Sequence, residues 1–140
     1  LHAFTALENV TLPVLAAEGR VTPQRRERAR ELLAAVGLAA AMDKRPMQLS
    51  GGMQQRVAIA RALVMEPALV LADEPTGALD TKTTAEIMQL MQDLNRQGIT
   101  VVLITHEPEV AEYASRQIHF RDGRIESDSA HPDLKRASGG

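Results

Sequence analysis

Asp73 and Glu74 close a short apolar run, Leu69-Val70-Leu71-Ala72, and adjacent carboxylates in that position suit phosphate chemistry. A buried strand ending there would hold both at the carboxyl edge of a parallel sheet, where α/β proteins bind ligands. Asp73 offers the hard oxygen that magnesium prefers, directly or through water. Glu74 is placed to orient and deprotonate a water attacking a terminal phosphate. Taken alone, the pair also reads as an ordinary strand end in solvent.

A second group surrounds Ser50-Gly51-Gly52. A Ser at a helix start followed by two glycines forms an anion site, because the first amides lack intrahelical partners and the dipole is positive there. An ordinary Ser N-cap with permissive glycines is the alternative. His106 follows the apolar run Thr100 to Ile104, where an imidazole could donate to a γ-phosphate. Asp80 reads first as a helix N-cap.

These residues need elements to carry them. Thr5 and Glu8 form a capping box that starts a helix near Ala6, and Pro13 should kink that helix or divide it in two. Thr22 and Pro23 start a second helix with the apolar stripe Ala29, Leu32, Leu33 and Val36, stopped by Gly37. Arg25, Arg26, Arg28 and Arg30 lie mostly off that stripe, on a solvated face. A third helix runs from Ser50 to about Met65, burying Met53, Val57, Ala60 and Val64.

From Leu69 the pattern changes to strand, helix, strand. The helix starts after Asp80, buries Ile87, Leu90, Met91 and Leu94, and ends before Gly98. Unbroken apolar runs on either side predict a parallel sheet covered on both faces. Pro108 to Ala114 reads as a short helix. Asp122-Gly123 predicts a hairpin between Gln117–Arg121 and Arg124–Glu126, with a frayed polar tail after Ser127. The expected fold class is α/β. Residues 1–66 form a helical part, 67–128 an α/β part and 129–140 a disordered tail.

Composition narrows the function. The chain has 140 residues, 44% of them hydrophobic and 24% charged, which suits one globular unit rather than a disordered segment. A net charge of −2 gives no bulk electrostatic case for nucleic acid or anionic lipid. With no cysteine, disulfides, thiol catalysis and Cys-ligated zinc are excluded. No apolar run is long enough for a membrane span, and a cytoplasmic location is expected.

The full string Leu49-Ser50-Gly51-Gly52-Met53-Gln54-Gln55-Arg56 resembles the signature motif of ATP-binding cassette (ABC) ATPases. Asp73-Glu74 then resembles the end of a Walker B strand, Gly77-Ala78-Leu79-Asp80 a D-loop and His106 the switch histidine. The strings Thr5-Ala6-Leu7-Glu8-Asn9-Val10, Ala72-Asp73-Glu74-Pro75-Thr76-Gly77 and Phe120-Arg121-Asp122-Gly123-Arg124-Ile125 resemble the macrolide-export and lipoprotein-release group. The resemblance implies a P-loop NTPase-like fold, with ATP and Mg2+ as cofactors. It assigns Glu74 and His106 to catalysis, Asp73 to the metal, and Ser50, Gly51, Gly52, Gln54 and Asp80 to nucleotide contacts.

It also implies a head-to-tail dimer with a second ABC ATPase subunit, each ATP lying between one phosphate loop and the other signature motif. A transmembrane permease is the expected partner, a periplasmic adaptor a further candidate, and nucleic acid is not expected. The subunit would sit at the cytoplasmic face of the membrane. One departure is plain: no Gly-x-x-x-x-Gly-Lys-Ser/Thr loop occurs in the 140 residues. The segment Gly77 to Thr83 comes nearest, but Thr81 precedes Lys82. With Leu1 rather than Met at the start, the expectation is a chain cut on its N-terminal side, leaving the Leu69–Ala72 strand with an open flank. The alternatives are a non-hydrolysing regulatory module and a soluble cassette ATPase acting on DNA or ribosomes.

Overall fold

The computed structural model describes residues 2–130. Helix α1, Ala6–Glu18, begins with the expected capping box: Glu8 N donates to Thr5 Oγ1 at 3.2 Å and Thr5 N to Glu8 Oε2 at 2.7 Å. Two further amides of its first turn, on Ala6 and Leu7, donate to the carbonyls of Lys44 and Met42 at 2.8 and 3.0 Å. Pro13 does not divide the helix. It removes the amide that would bond the Asn9 carbonyl, while the buried Asn9 side chain ties the helix start by donating to Phe4 and Thr5 carbonyls. Gly19, at φ 73°, closes the helix in the left-handed region.

Helix α2, Pro23–Ala35, is capped by Thr22, whose Oγ1 accepts from Arg25 N at 3.3 Å. Of its arginines, Arg26 and Arg30 are exposed as expected, whereas Arg25 and Arg28 are half-buried, Arg25 paired to Glu18 and Arg28 to Glu31. Two single-turn 3₁₀ segments, Ala39–Ala41 and Pro46–Gln48, lead to helix α3, Gly51–Leu63. The three helices bury Val10, Val14, Leu33 and Val64 almost completely. That cluster continues without a break into Val70, Ala72, Ile87 and Leu94, so helices and strands share one core.

Strand β1, Leu69–Asp73, helix α4, Thr81–Arg96, and strand β2, Thr100–Ile104, form the expected parallel unit. The register pairs Leu69 with Thr100, Leu71 with Val102 and Asp73 with Ile104. The sheet is covered on one face, not both. Val70 and Ala72 are buried, whereas Leu71 is 66% exposed and Ile104 50% exposed. Among the described residues β1 pairs with β2 alone, leaving its other flank open as expected.

Helix α5, Pro108–Ala111, is shorter than predicted. Strands β3, Arg116–Arg121, and β4, Arg124–Ala130, form the hairpin. Asp122 at φ 50° and Gly123 at φ 73° give the turn the two positive angles of type I′. The frayed tail expected after Ser127 is corrected over its first residues: Asp128, Ser129 and Ala130 continue β4, opposite Ile118, Gln117 and Arg116. An Arg116–Asp128 ion pair crosses this extension at 2.6 Å. The rest of the predicted tail, 131–140, lies outside the described residues.

The bare face of the β1–β2 sheet, with Leu69, Leu71, Val102 and Ile104 exposed together, favours association. Leu71→Lys with Val102→Lys should shift the 140-residue chain toward monomer in size-exclusion chromatography. An unchanged oligomer profile would show that this face is not the adhesive one.

Candidate active site

The parallel register brings the chemistry together. The amide of Glu74 continues the ladder past the end of β1 by donating to the Ile104 carbonyl at 2.8 Å. The residues after Ile104, Thr105 and His106, therefore stand beside Glu74. Thr105 Oγ1 donates to Glu74 Oε2 at 3.2 Å and the His106 amide to Oε1 at 2.8 Å. His106 Nδ1 lies 2.6 Å from the same Oε1. Thr105 is itself fixed, its hydroxyl oxygen accepting from Glu107 N at 3.0 Å.

Glu74 adopts φ 46°, a left-handed conformation unusual for a residue with a Cβ. Such a conformation costs about 1–3 kcal/mol and persists where the surroundings over-determine it, often at functional sites. Here the ladder amide and the three side-chain contacts supply that determination.

The pairing shifts both groups. Glu74 is held below its ordinary value of 4.5, chiefly by the His106 side chain and against a smaller desolvation effect. His106 is raised above 6.5, chiefly by the Glu74 hydrogen bond and then by its charge. The His106 side chain remains 83% exposed, so its ring is accessible from solvent.

Asp73 is the last residue of β1, paired in register with Ile104. Among the described residues, no group of three or more His, Cys, Asp and Glu is gathered that could hold a metal with protein ligands alone. Asp73 fits the sparser magnesium pattern, in which one carboxylate is completed by water and substrate phosphate.

Ser50 is the N-cap of α3 and its Oγ accepts from Met53 N at 3.2 Å, leaving the hydroxyl hydrogen free to donate outward. Gln54 Nε2 donates to the carbonyls of Pro46 at 2.9 Å and Leu49 at 3.3 Å. It holds the turn that presents Ser50. Asp80 has the extended N-cap backbone of α4 but makes no side-chain capping bond. Proximity to the Thr83 hydroxyl still draws its carboxyl below the usual 3.8. An open groove joins the two groups, with Gly51, Gln54 and Gln55 on one side and Glu74, Pro75, Gly77, Ala78 and Leu79 on the other.

Two contributors escape sequence reading. Thr105 precedes the histidine without any pattern of its own. Arg56, inside the signature string, bridges helices by donating to the Val36 carbonyl at 2.9 Å and to Glu86 Oε2 at 3.0 Å. Its place in the string marks it, but its partners lie in other elements.

An α/β core with its charged residues at the carboxyl edge of parallel strands, facing a Ser-capped glycine helix start, defines the class as a nucleotide-type cassette. The chain belongs to the ABC transporter family, whose model matches residues 2–77. It is 53% identical over 132 residues to the lipoprotein-releasing system ATP-binding protein LolD of Anaeromyxobacter dehalogenans, covering 94% of this chain and 55% of that protein. It is 51% identical over 138 residues to the macrolide export ATP-binding/permease protein MacB of Chromobacterium violaceum, covering 99% of this chain and 21% of the relative.

Among solved structures, the dimeric post-hydrolysis state of the ATP-binding cassette MJ0796, bound to ADP and Pi, matches with a TM-score of 0.78 and 46% identity. That match covers 93% of this chain and 58% of the other. The ADP conformation of the cassette MJ1267 shares the fold at a TM-score of 0.87 and 23% identity, over 94% of this chain and 57% of that one. The chain thus spans little more than half of LolD, at 55%, and of the MJ0796 cassette, at 58%.

The Glu74–His106 pair has a defined pH window. Its contribution is complete above the ordinary glutamate value of 4.5 and below the ordinary histidine value of 6.5. It fades as pH falls through the lowered Glu74 pKa, and as pH rises through the raised His106 pKa. An NMR titration should place His106 above 6.5, and Glu74→Gln should bring it back toward that value. A His106 midpoint indifferent to Glu74→Gln would show that the pair does not form in solution.

Proposed function

We propose that this chain is the signature-motif and Walker B portion of an ABC transporter ATP-binding subunit. In the intact subunit, ATP hydrolysis would drive export or extraction of a substrate through a membrane permease. The observation that carries this reading is the Glu74 carboxylate, held between Thr105 and His106 at the parallel-strand edge. Similarity to proteins named for lipoprotein release and macrolide export supports the transport class.

An ionised carboxylate offers about four acceptor positions. Two donors converge on Glu74 Oε1 and one hydroxyl on Oε2, which leaves Oε2 open to a water. The lowered pKa keeps Glu74 ionised at neutral pH while weakening it as a base. Its contribution is therefore chiefly to aim the water, which suits a loose phosphoryl transition state that depends on positioning.

His106 must present a hydrogen on Nδ1 to the carboxylate. In the neutral ring that leaves Nε2 an acceptor, whereas in the imidazolium Nε2 also donates. The raised pKa favours the second form, which can donate to a γ-phosphate oxygen. Asp73 would hold Mg2+, which when bound neutralises phosphate charge. Ser50, Gly51 and Gly52 would donate to the nucleotide of a second cassette in a head-to-tail dimer, with Gln54 holding their turn and Asp80 at the interface.

The permease would seat this subunit on the cytoplasmic face of the membrane, with a periplasmic adaptor as a further partner. Among the described residues, no helix is long and apolar enough to cross a membrane. The phosphate loop would come from the part of the subunit beyond these residues.

In the full-length subunit, Glu74→Gln should retain ATP binding and lower turnover by about 100-fold, the scale of misplacing a reacting group. Wild-type turnover in that variant would remove Glu74 from the reaction. Ser50→Arg should leave ATP affinity of the monomer intact and impair ATP-driven dimerisation, read by sizing in the Glu74→Gln background. Equal loss of both would place the signature contact within one subunit.

A further inference from the structure

Gly52 is buried in the first turn of α3. A methyl group added to its Cα would fall well inside van der Waals contact of the Thr83 Cγ2 methyl. Thr83 stands in the first turn of α4, just past Asp80. Gly51 meets the same segment less tightly, since a Cβ there would stand 3.4 Å from Leu79 Cδ2. About one turn further along both helices, Arg56 Nη2 donates to Glu86 Oε2 at 3.0 Å. The starts of α3 and α4 are thus pressed together at a glycine and riveted by an ion pair behind it.

A larger residue at position 52 would force Thr83 to turn its methyl away. A β-branched side chain in a helix has few rotamers available. Turning it would also move the hydroxyl that lowers the Asp80 pKa. The absence of a side chain at Gly52 therefore bears on the turn that carries Asp80, in addition to any nucleotide it approaches.

We propose that the Gly52–Thr83 contact is a positioning contact, which locks the start of the signature helix to the Asp80 turn of the same subunit. The two segments then meet a shared nucleotide as one body. Thr83 touches no reacting atom; it acts through Gly52 and Asp80. The proposal rests on the ATPase reading for its kinetic arm only.

The test is a double-variant cycle in the full-length subunit with Gly52→Ala, Thr83→Ser and both together. Thr83→Ser deletes the methyl that Gly52→Ala would strike and keeps the hydroxyl near Asp80. Gly52→Ala should lower Tm by about 2–12 °C, as expected of one overpacked methyl in a domain of about 150–250 residues. It should also lower kcat by about tenfold or more through misplacement, with ATP affinity of the monomer unchanged. Adding Thr83→Ser should restore both Tm and kcat.

If the double variant is as impaired as Gly52→Ala alone, glycine is needed for nucleotide clearance and the proposal falls. It falls equally if Gly52→Ala leaves Tm unchanged. Restored Tm with unrecovered kcat would reduce the contact to packing and overturn its positioning role. The melting arm uses no nucleotide. A wild-type subunit without ATPase activity would therefore refute the proposed function while the Gly52–Thr83 contact was still decided by Tm.

Discussion

The parallel pairing of β1 with β2, ending at Asp73 opposite Ile104, is the constraint on which the site depends. It carries the Glu74 amide to the Ile104 carbonyl and so sets Thr105 and His106 against the Glu74 carboxylate. A slip of one residue would exchange the two faces of the strand and expose Val70 and Ala72 in place of Leu69 and Leu71. The hydrophobic core thereby fixes the position of a charged group at the sheet edge. The left-handed backbone at Glu74 is tolerated because its amide and its carboxylate are both held by the residues that end and follow β2.

The helices serve the same end by different means. Helices α1, α2 and α3 share one apolar core with the inner face of the sheet, through Leu33, Val64, Val70 and Ile87. Arg56 adds a polar tie from α3 to the end of α2 and to α4. Gln54 secures the turn before Ser50. The glycine-rich helix start is consequently held by the segment that follows Glu74 and by the turn that precedes it.

Local signals were readable in the sequence because they act over a few residues. The Thr5–Glu8 box, the Thr22-Pro23 start, the Ser50 cap and the Asp122-Gly123 turn each depend on neighbours within one turn of chain. Asp73, Glu74 and His106 could be placed at one sheet edge because apolar runs precede them. Pro13 does not divide α1, since one missing hydrogen bond is tolerated where a buried Asn9 and the Met42 and Lys44 carbonyls anchor the helix start. The polar extension of β4 misled because cross-strand pairing with β3, including Arg116–Asp128, outweighs low apolar content. Thr105, Arg56 and the Gly52–Thr83 approach could not be read, because each depends on a partner distant in sequence. The bare sheet face could not be read either, since apolar runs report a preference for cover and not its presence.

In the proposed ATPase reading, turnover depends on the Glu74 carboxylate being held in place from the β2 side. Steady-state kinetics of Thr105→Val and Thr105→Ser in the full-length subunit test it most directly. Thr105→Val keeps the shape and removes the hydroxyl donor to Glu74 Oε2. It should lower kcat by about tenfold or more, the scale of one hydrogen bond to a charged group, with KM little changed. Thr105→Ser should preserve kcat. Wild-type kcat in Thr105→Val would contradict the claim.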